Sequence, residues 1–167
     1  MAIARKFRAN FSSPEEVLLF IRIFLLITIL PSLIKFLTLP QLMNLLMWRI
    51  STFSGTQKDK DYKDKIVRFT DYILSRNFWI YRSTCMKRSL VLFHFLHRII
   101  PDIQICFGVR LRKDVAAQGK QKGLDGHAWL INNEGILLDK NPDIGRMYTV
   151  TYCFPERLSN AKDLGNL

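Results

Sequence analysis

Apolar positions in the first third of the chain recur at helical spacing between clear start and stop signals. Two serines precede Pro14 and a pair of glutamates. This order favours a helix start, because serine oxygens cap unpaired amides and acids face the positive end of the helix dipole. The apolar run predicts a helix to about Leu30, a break at Pro31 and a continuation through Leu37. A second helix is expected after Pro40.

The middle of the chain changes from polar to amphipathic. Residues 51–65 alternate lysine with aspartate and contain a glycine, so they are interpreted as a solvated linker. Residues 65–80 place Ile66, Phe69 and Ile73 on one helical face. This spacing predicts a helix packed on the core.

Beyond residue 80 the chain predicts one more helix and then strands. Ser83 or Thr84 is a suitable amino-cap for a helix led by Cys85, and Pro101 ends that helix. The segments IQICFGVRL, GHAWLIN and GILLD follow as short apolar runs separated by glycine-containing turns, which is typical of strands. Residues 148–154 predict a further strand.

This order of elements defines an α+β fold class, with a cysteine-led helix packed on an antiparallel sheet. The 167 residues are enough to bury one core without metals or disulfides. We expect a helical amino-terminal lead over residues 1–55 and a cysteine-centred core over residues 56–167.

The stretch 17–39 is apolar enough to raise the question of a membrane. Arg22, Pro31 and Lys35 interrupt it, and its longest uncharged run has twelve residues, fewer than the roughly 18 to 20 that span a bilayer. A buried helix pair is therefore expected. Peripheral membrane contact through residues 17–39 is the alternative, since both cations could reach the headgroup layer.

Net charge and cysteine content indicate the cellular compartment and the class of binding partner. The net charge is +11, but the basic residues are spread along the chain without a zinc-finger, RRM-like or helix-turn-helix signature, so no nucleic-acid partner is expected. Three cysteines in a chain of this length favour a reducing compartment, with Cys106 and Cys153 as core thiols. The basic amino terminus lacks the pattern of a signal peptide. A cytoplasmic location is predicted.

The leading candidate nucleophile is Cys85. At the first turn of a helix, unpaired amides and the positive dipole end stabilise a thiolate. His94 and His97 lie nine and twelve residues further along the same helix, too far to meet the sulfur at about 1.5 Å per residue. His127 is the base that remains, and it opens a strand beside a glycine-rich loop.

The length of the hairpin loop decides whether Asp139 can be the third member of a catalytic triad. If residues 133–135 form a three-residue loop, Trp129 faces Asp139, and the carboxylate is then a diagonal neighbour of His127 on one face. The acid would fix the tautomer of the imidazole. A two-residue loop would instead pair Ala128 with Asp139 and turn the acid to the opposite face.

Simpler interpretations stay open for each residue. Cys85 could be a buried structural cysteine, His127 a satisfied sheet histidine and Asp139 a strand-end acid bonded to the next turn. Asp125 or Asn141 would replace Asp139 if the register differed. No metal site is predicted from the two helical histidines, because no further ligands cluster with them, and no phosphate loop or other cofactor motif is present.

The segments CMKRSL, GVR and HAW, followed by GILLD, resemble the transglutaminase-like cysteine peptidases of lasso-peptide biosynthesis, over about residues 78–140. The resemblance implies a papain-like or transglutaminase-like core and places Cys85, His127 and Asp139 on the family's Cys, His and Asp positions. It implies removal of a leader peptide from a ribosomal precursor, before a separate ATP-dependent cyclase closes the core peptide. No strand-rich amino-terminal domain is evident, so the expected partner is a separate RiPP-recognition protein that binds the leader.

Three functions are therefore carried forward. The first is a cysteine endopeptidase that acts as leader peptidase. The second is a thiol acyltransferase of transglutaminase-like type, which would pass the same thioester to an amine. The third is a non-catalytic basic adaptor that docks on a membrane or an acidic peptide.

Overall fold

The computed structural model describes residues 13–47, 58–76, 84–100, 102–111, 123–133, 135–139 and 143–156. Within these residues, helices come first and a sheet follows. The elements are α1 Pro14–Phe36, α2 Leu39–Met47, α3 Lys58–Ser75, α4 Cys85–Leu96, β1 Gln104–Leu111, β2 Leu124–Asn132, β3 Gly135–Leu137, α5 Ile144–Met147 and β4 Thr149–Phe154. The predicted α+β fold is confirmed.

Helix α1 is continuous, so the predicted break at Pro31 is wrong. Ser13 caps the helix and accepts a hydrogen bond from the Glu16 amide at 3.3 Å. Proline removes one helical hydrogen bond at Pro31, but Ile27 and Leu30 on the preceding turn are fully buried. Their packing holds the helix in line across the proline. The helix pair expected here is a single long helix.

Helix α3 begins earlier than the sequence predicted, because residues 58–65 are helical and do not form a linker. Lysine and aspartate four residues apart, as in this segment, support a helix. Asp61 and Asp64 are exposed, and Lys65 pairs with Glu16 of α1 at 2.7 Å. Ile66, Phe69 and Ile73 are buried as predicted. The rest of the predicted linker, 51–57, and positions 77–80 lie outside the described residues.

The four strands form an antiparallel sheet in the order β3-β2-β1-β4. One face carries Ile105 and Leu130, which are buried in the same core as α1, α3 and α4. The opposite face carries Cys106 and Trp129, which pack with Tyr148 at the start of β4. Alternation along each strand thus separates a helix-covered face from a smaller aromatic face.

Cys106 and Cys153 are joined by a disulfide, so the prediction of two core thiols is wrong. The two residues are direct cross-strand partners of β1 and β4, with 4.2 Å between their Cα atoms. Directly opposed residues of neighbouring antiparallel strands come close enough for such a bond. Sequence separation gave no sign of this pairing, because it depends on the β1–β4 register.

Gly108→Ala is expected to destabilise the protein by about 1–3 kcal/mol. A Cβ atom at Gly108 would lie 2.7 Å from Cη2 of Trp129 and 2.9 Å from the carbonyl oxygen of Thr149. Neither the indole nor the strand backbone can move away without disturbing the sheet. Urea unfolding monitored by circular dichroism measures the change.

Gly126→Ala is the matched control, since the nearest atom to its Cβ is 3.9 Å away. Its free energy of unfolding should stay within about 0.5 kcal/mol of wild type. Equal destabilisation by the two substitutions would contradict the packing argument.

Candidate active site

Cys85 is the first residue of α4, as the sequence predicted. The side chain of Thr84 caps the helix by accepting from the Lys87 amide at 3.2 Å. The amides at the start of a helix have no carbonyl partner within it, so they can donate hydrogen bonds to a group held at the helix start. The thiol is partly exposed and lies 3.9 Å from the carbonyl oxygen of Gly126. The nucleophile candidate thus contacts the residue that precedes His127.

The imidazole of His127 is in contact with the carboxylate of Asp139. Nε2 donates to Oδ2 at 3.0 Å, and both side chains are largely buried. A donor at Nε2 leaves Nδ1 as the nitrogen that can accept a proton. The structure therefore brings His127 and Asp139 together and sets Cys85 against the adjoining backbone. Their catalytic roles stay predictions.

The contact with Asp139 arises by a different route from the one that the sequence suggested. Asn132 pairs with Gly135, so the loop has two residues and the predicted three-residue register is wrong. Continued along β3, this register would turn Asp139 away from His127. The strand ends at Leu137, and Leu138 has a left-handed backbone with φ of 55°. That single residue reorients the chain and brings the acid to the imidazole.

Two side chains in the first turns of α4 hold the surrounding backbone in place. The guanidinium of Arg88 donates to the carbonyl oxygen of Leu138 at 2.6 Å and to both carboxylate oxygens of Asp71 at 2.7 and 3.1 Å. The hydroxyl of Ser89 donates to the carbonyl oxygen of Ala128 at 2.8 Å. Helix α4 therefore anchors the backbone next to Asp139 and next to His127. The sequence analysis assigned no anchoring role to Arg88, although its spacing of three residues from Cys85 puts both on one helix face.

Aromatic rings flank His127. The ring centroid of Tyr148 lies 5.2 Å from that of the imidazole, and the ring of Trp129 lies 6.1 Å from it and nearly parallel. The Tyr148 hydroxyl donates to Asp125 at 3.0 Å, and Arg110 also donates to that carboxylate. Burial, this hydrogen bond and nearby negative charge raise the pKa of Tyr148, so the hydroxyl stays protonated. The sequence analysis missed Tyr148, whose position depends on the β1–β4 register.

The substitutes considered for Asp139 are not needed in this geometry. Asp125 lies on the same face of β2 as His127, but its carboxylate faces Arg110 and Tyr148. Asn141 lies outside the described residues.

One ring nitrogen of His94 and one of His97 each contacts a backbone carbonyl. Nδ1 of His94 donates to the carbonyl oxygen of Leu46 at 2.7 Å, and Nδ1 of His97 to that of Phe93 at 3.0 Å. Burial is the largest cause lowering the pKa of each. No cluster of three or more metal-ligating side chains occurs among the described residues.

Arg88→Lys is expected to lower turnover by about 10²-fold, as displacements of about 1 Å near a reacting group do. Lysine keeps the charge, but it lacks the fork that reaches Asp71 and the Leu138 carbonyl together. Steady-state kinetics with an acyl substrate of the candidate thiol measure the loss. Arg68→Lys, at an exposed position of α3, is the control and should keep wild-type turnover. Unchanged turnover in a folded Arg88→Lys protein would contradict the positioning role.

A helix led by a cysteine and packed on an antiparallel sheet, beside a histidine–carboxylate pair, is an arrangement suited to thiol chemistry. The sequence profile of the Transglutaminase-like superfamily matches residues 29–153, and the chain belongs to that superfamily. Membership is consistent with a cysteine peptidase or an acyltransferase. The search of curated proteins gave no match, and neither did the search of solved structures.

Proposed function

We propose that this chain is a cysteine endopeptidase that removes the leader from a ribosomal lasso-peptide precursor. The observation that carries the enzymatic part is the His127–Asp139 contact at 3.0 Å, beside a cysteine at a helix start. The substrate class follows from the likeness of CMKRSL, GVR and HAW to leader peptidases. Superfamily membership supports the reaction class.

The first chemical step is acylation of Cys85. Nδ1 of His127 takes the thiol proton, and the thiolate attacks the carbonyl carbon of the scissile bond. Amides at the start of α4 offer hydrogen bonds to the oxyanion that develops. The imidazolium then gives its proton to the leaving nitrogen. The core peptide departs with a free amine, and the leader stays as a thioester on sulfur.

The second step is hydrolysis of this thioester. His127 takes a proton from water, the resulting hydroxide attacks the thioester carbonyl, and the thiolate leaves and regains a proton. The leader departs with a carboxylate. Asp139 keeps the imidazole in the tautomer that serves both steps.

The partners follow from the same proposal. A separate RiPP-recognition protein would present the leader of the precursor, and a lasso cyclase would use the freed amine. The reaction needs no cofactor or metal. A cytoplasmic location is part of the proposal, but free core thiols no longer support it, since Cys106 and Cys153 are bonded to each other. The proposed peptidase core covers residues 56–167, after a helical lead over residues 1–55.

Mass spectrometry of a reconstituted reaction tests the proposal. The purified chain, a candidate precursor and its recognition protein should yield free leader acid and free core amine. Both products should be absent when the chain carries His127→Ala. An intact precursor after incubation with the folded, unlabelled wild-type chain and the recognition protein would contradict leader cleavage.

The same reaction with added hydroxylamine separates the alternatives. An acyltransferase would convert most of the leader to its hydroxamate and little to the acid, whereas the peptidase would yield mainly acid. A non-catalytic adaptor would give neither product and would leave Cys85 no more reactive than an ordinary thiol.

A further inference from the structure

Helix α1 has two apolar faces, and one of them is covered by the rest of the protein. Leu19, Ile23, Ile27 and Leu30 are at most 5% exposed and pack in the core shared with α3 and α4. A helix that is apolar all round is normally buried all round. Only 22% of the most apolar 18-residue window of α1 is buried, although its mean hydropathy is 2.6.

The uncovered face is an apolar strip, called here the outer stripe, and the exposed Ser32 interrupts it between its fourth and fifth members. Its residues follow one another at spacings of three, four, four and seven, which keeps them on one side of the helix. The first four are 46–51% exposed and the last is 79% exposed. At about 1.5 Å per residue the stripe is roughly 27 Å long. Its members are Leu18, Ile21, Leu25, Ile29 and Phe36.

Positive charges flank most of the outer stripe, and the nearby acids Glu15 and Asp61 lie at its amino-terminal end, in a surface pocket with Leu18 and Arg22. Arg22 and Lys35 are exposed and lie on opposite flanks of the stripe, at about 100° of rotation per residue. The one acid on the adjoining surface of α1 is Glu15, at the amino-terminal end, since Glu16 is buried against Lys65. In the sequence, residues 1–12 contain three basic residues and no acid, and the whole chain carries a net charge of +11.

We propose that the outer stripe docks this protein on an anionic lipid surface, with α1 lying in the headgroup layer. A helix with an exposed apolar strip and flanking cations binds in this way. The opposite face stays packed on the protein core, so the helix lies along the membrane and does not cross it. Protein partners more often present tyrosine, tryptophan and arginine anchors, whereas this stripe consists of aliphatic and phenyl side chains.

Sedimentation with lipid vesicles tests the docking. The full chain should bind vesicles that contain phosphatidylglycerol much more tightly than vesicles of phosphatidylcholine alone, and added salt should weaken binding. Leu25→Glu with Ile29→Glu should lower the partition coefficient at least about tenfold, because two acids replace apolar anchors. Glutamate is a good helix former, so α1 should persist.

The matched control is Leu111→Glu with Leu124→Glu. These residues are also exposed but lie outside the stripe, and the change in net charge is the same. The control should lower the partition coefficient by less than about threefold. An equal loss in both variants would overturn the stripe as the docking site, as would full binding by the stripe variant.

Two further measurements cover the remaining outcomes. If the stripe variant fails to fold, Arg22→Gln with Lys35→Gln keeps the apolar residues and should still weaken binding to anionic vesicles; unchanged binding would overturn the proposal.

Light scattering after size exclusion reports self-association. A wild-type protein that ignores vesicles would overturn lipid docking, and a concentration-dependent dimer lost in the stripe variant would then identify a second copy as the occupant.

Discussion

Cys85→Ala is expected to lower cleavage of the precursor by at least about 10⁴-fold, because loss of a nucleophile removes the covalent route entirely. The sulfur lies at the start of α4, 3.9 Å from the carbonyl oxygen of Gly126. No other described cysteine is free, since Cys106 and Cys153 are bonded to each other. Single-turnover cleavage followed by mass spectrometry measures the loss.

Labelling with iodoacetamide at neutral pH gives an independent measure of the same residue. Without reductant, the wild-type chain should take up one label at Cys85, and His127→Ala should slow that uptake strongly. Cys106→Ala with Cys153→Ala is the control and should label at the wild-type rate while it remains folded. Equal labelling of all three cysteines would contradict a single activated thiol.

Asp139→Asn is expected to lower the rate of cleavage by about 10³–10⁴-fold, as loss of the orienting acid does in catalytic triads. The carboxylate accepts from Nε2 of His127 at 3.0 Å. An asparagine amide can donate to Nε2 and so favour the tautomer that carries its proton on Nδ1. That tautomer cannot accept the thiol proton. The dependence of kcat on pH, measured beside wild type, reports the change.

Asp125→Asn is the comparison that identifies the orienting acid. Asp125 is on the same strand face as His127 but is bonded to Arg110 and Tyr148. We expect this substitution to lower the rate of cleavage by about tenfold or less, through small shifts of the Tyr148 ring beside His127. A larger loss at Asp125 than at Asp139 would transfer the orienting role to Asp125.

The parts of the fold that the sequence predicted are those set by local chemistry. Ser13 and Thr84 cap helices because their oxygens reach amides three residues away, and the sequence shows both signals directly. The strand that contains His127 follows from its short apolar run between glycine-containing turns. The position of Cys85 at a helix start was therefore available from sequence alone.

The parts that the sequence missed depend on tertiary contacts or on one backbone angle. The helix passes Pro31 because residues on its preceding turn are buried, which a rule for isolated helices does not include. The hairpin loop is one residue shorter than predicted, and the left-handed Leu138 compensates by reversing the direction of the next side chain. The sequence analysis therefore predicted the contact between Asp139 and His127 correctly, although the strand register used in that argument was wrong.

The contacts made by α4 couple groups that are far apart in the chain. Arg88 holds the Leu138 carbonyl, Ser89 holds the Ala128 carbonyl and Cys85 touches that of Gly126. Helix α4 therefore fixes the positions of the sulfur, the imidazole and the carboxylate relative to one another. A small rotation of this helix would misalign all three at once, so the energetic effects of Arg88→Lys and Asp139→Asn should be strongly non-additive in a double-mutant cycle.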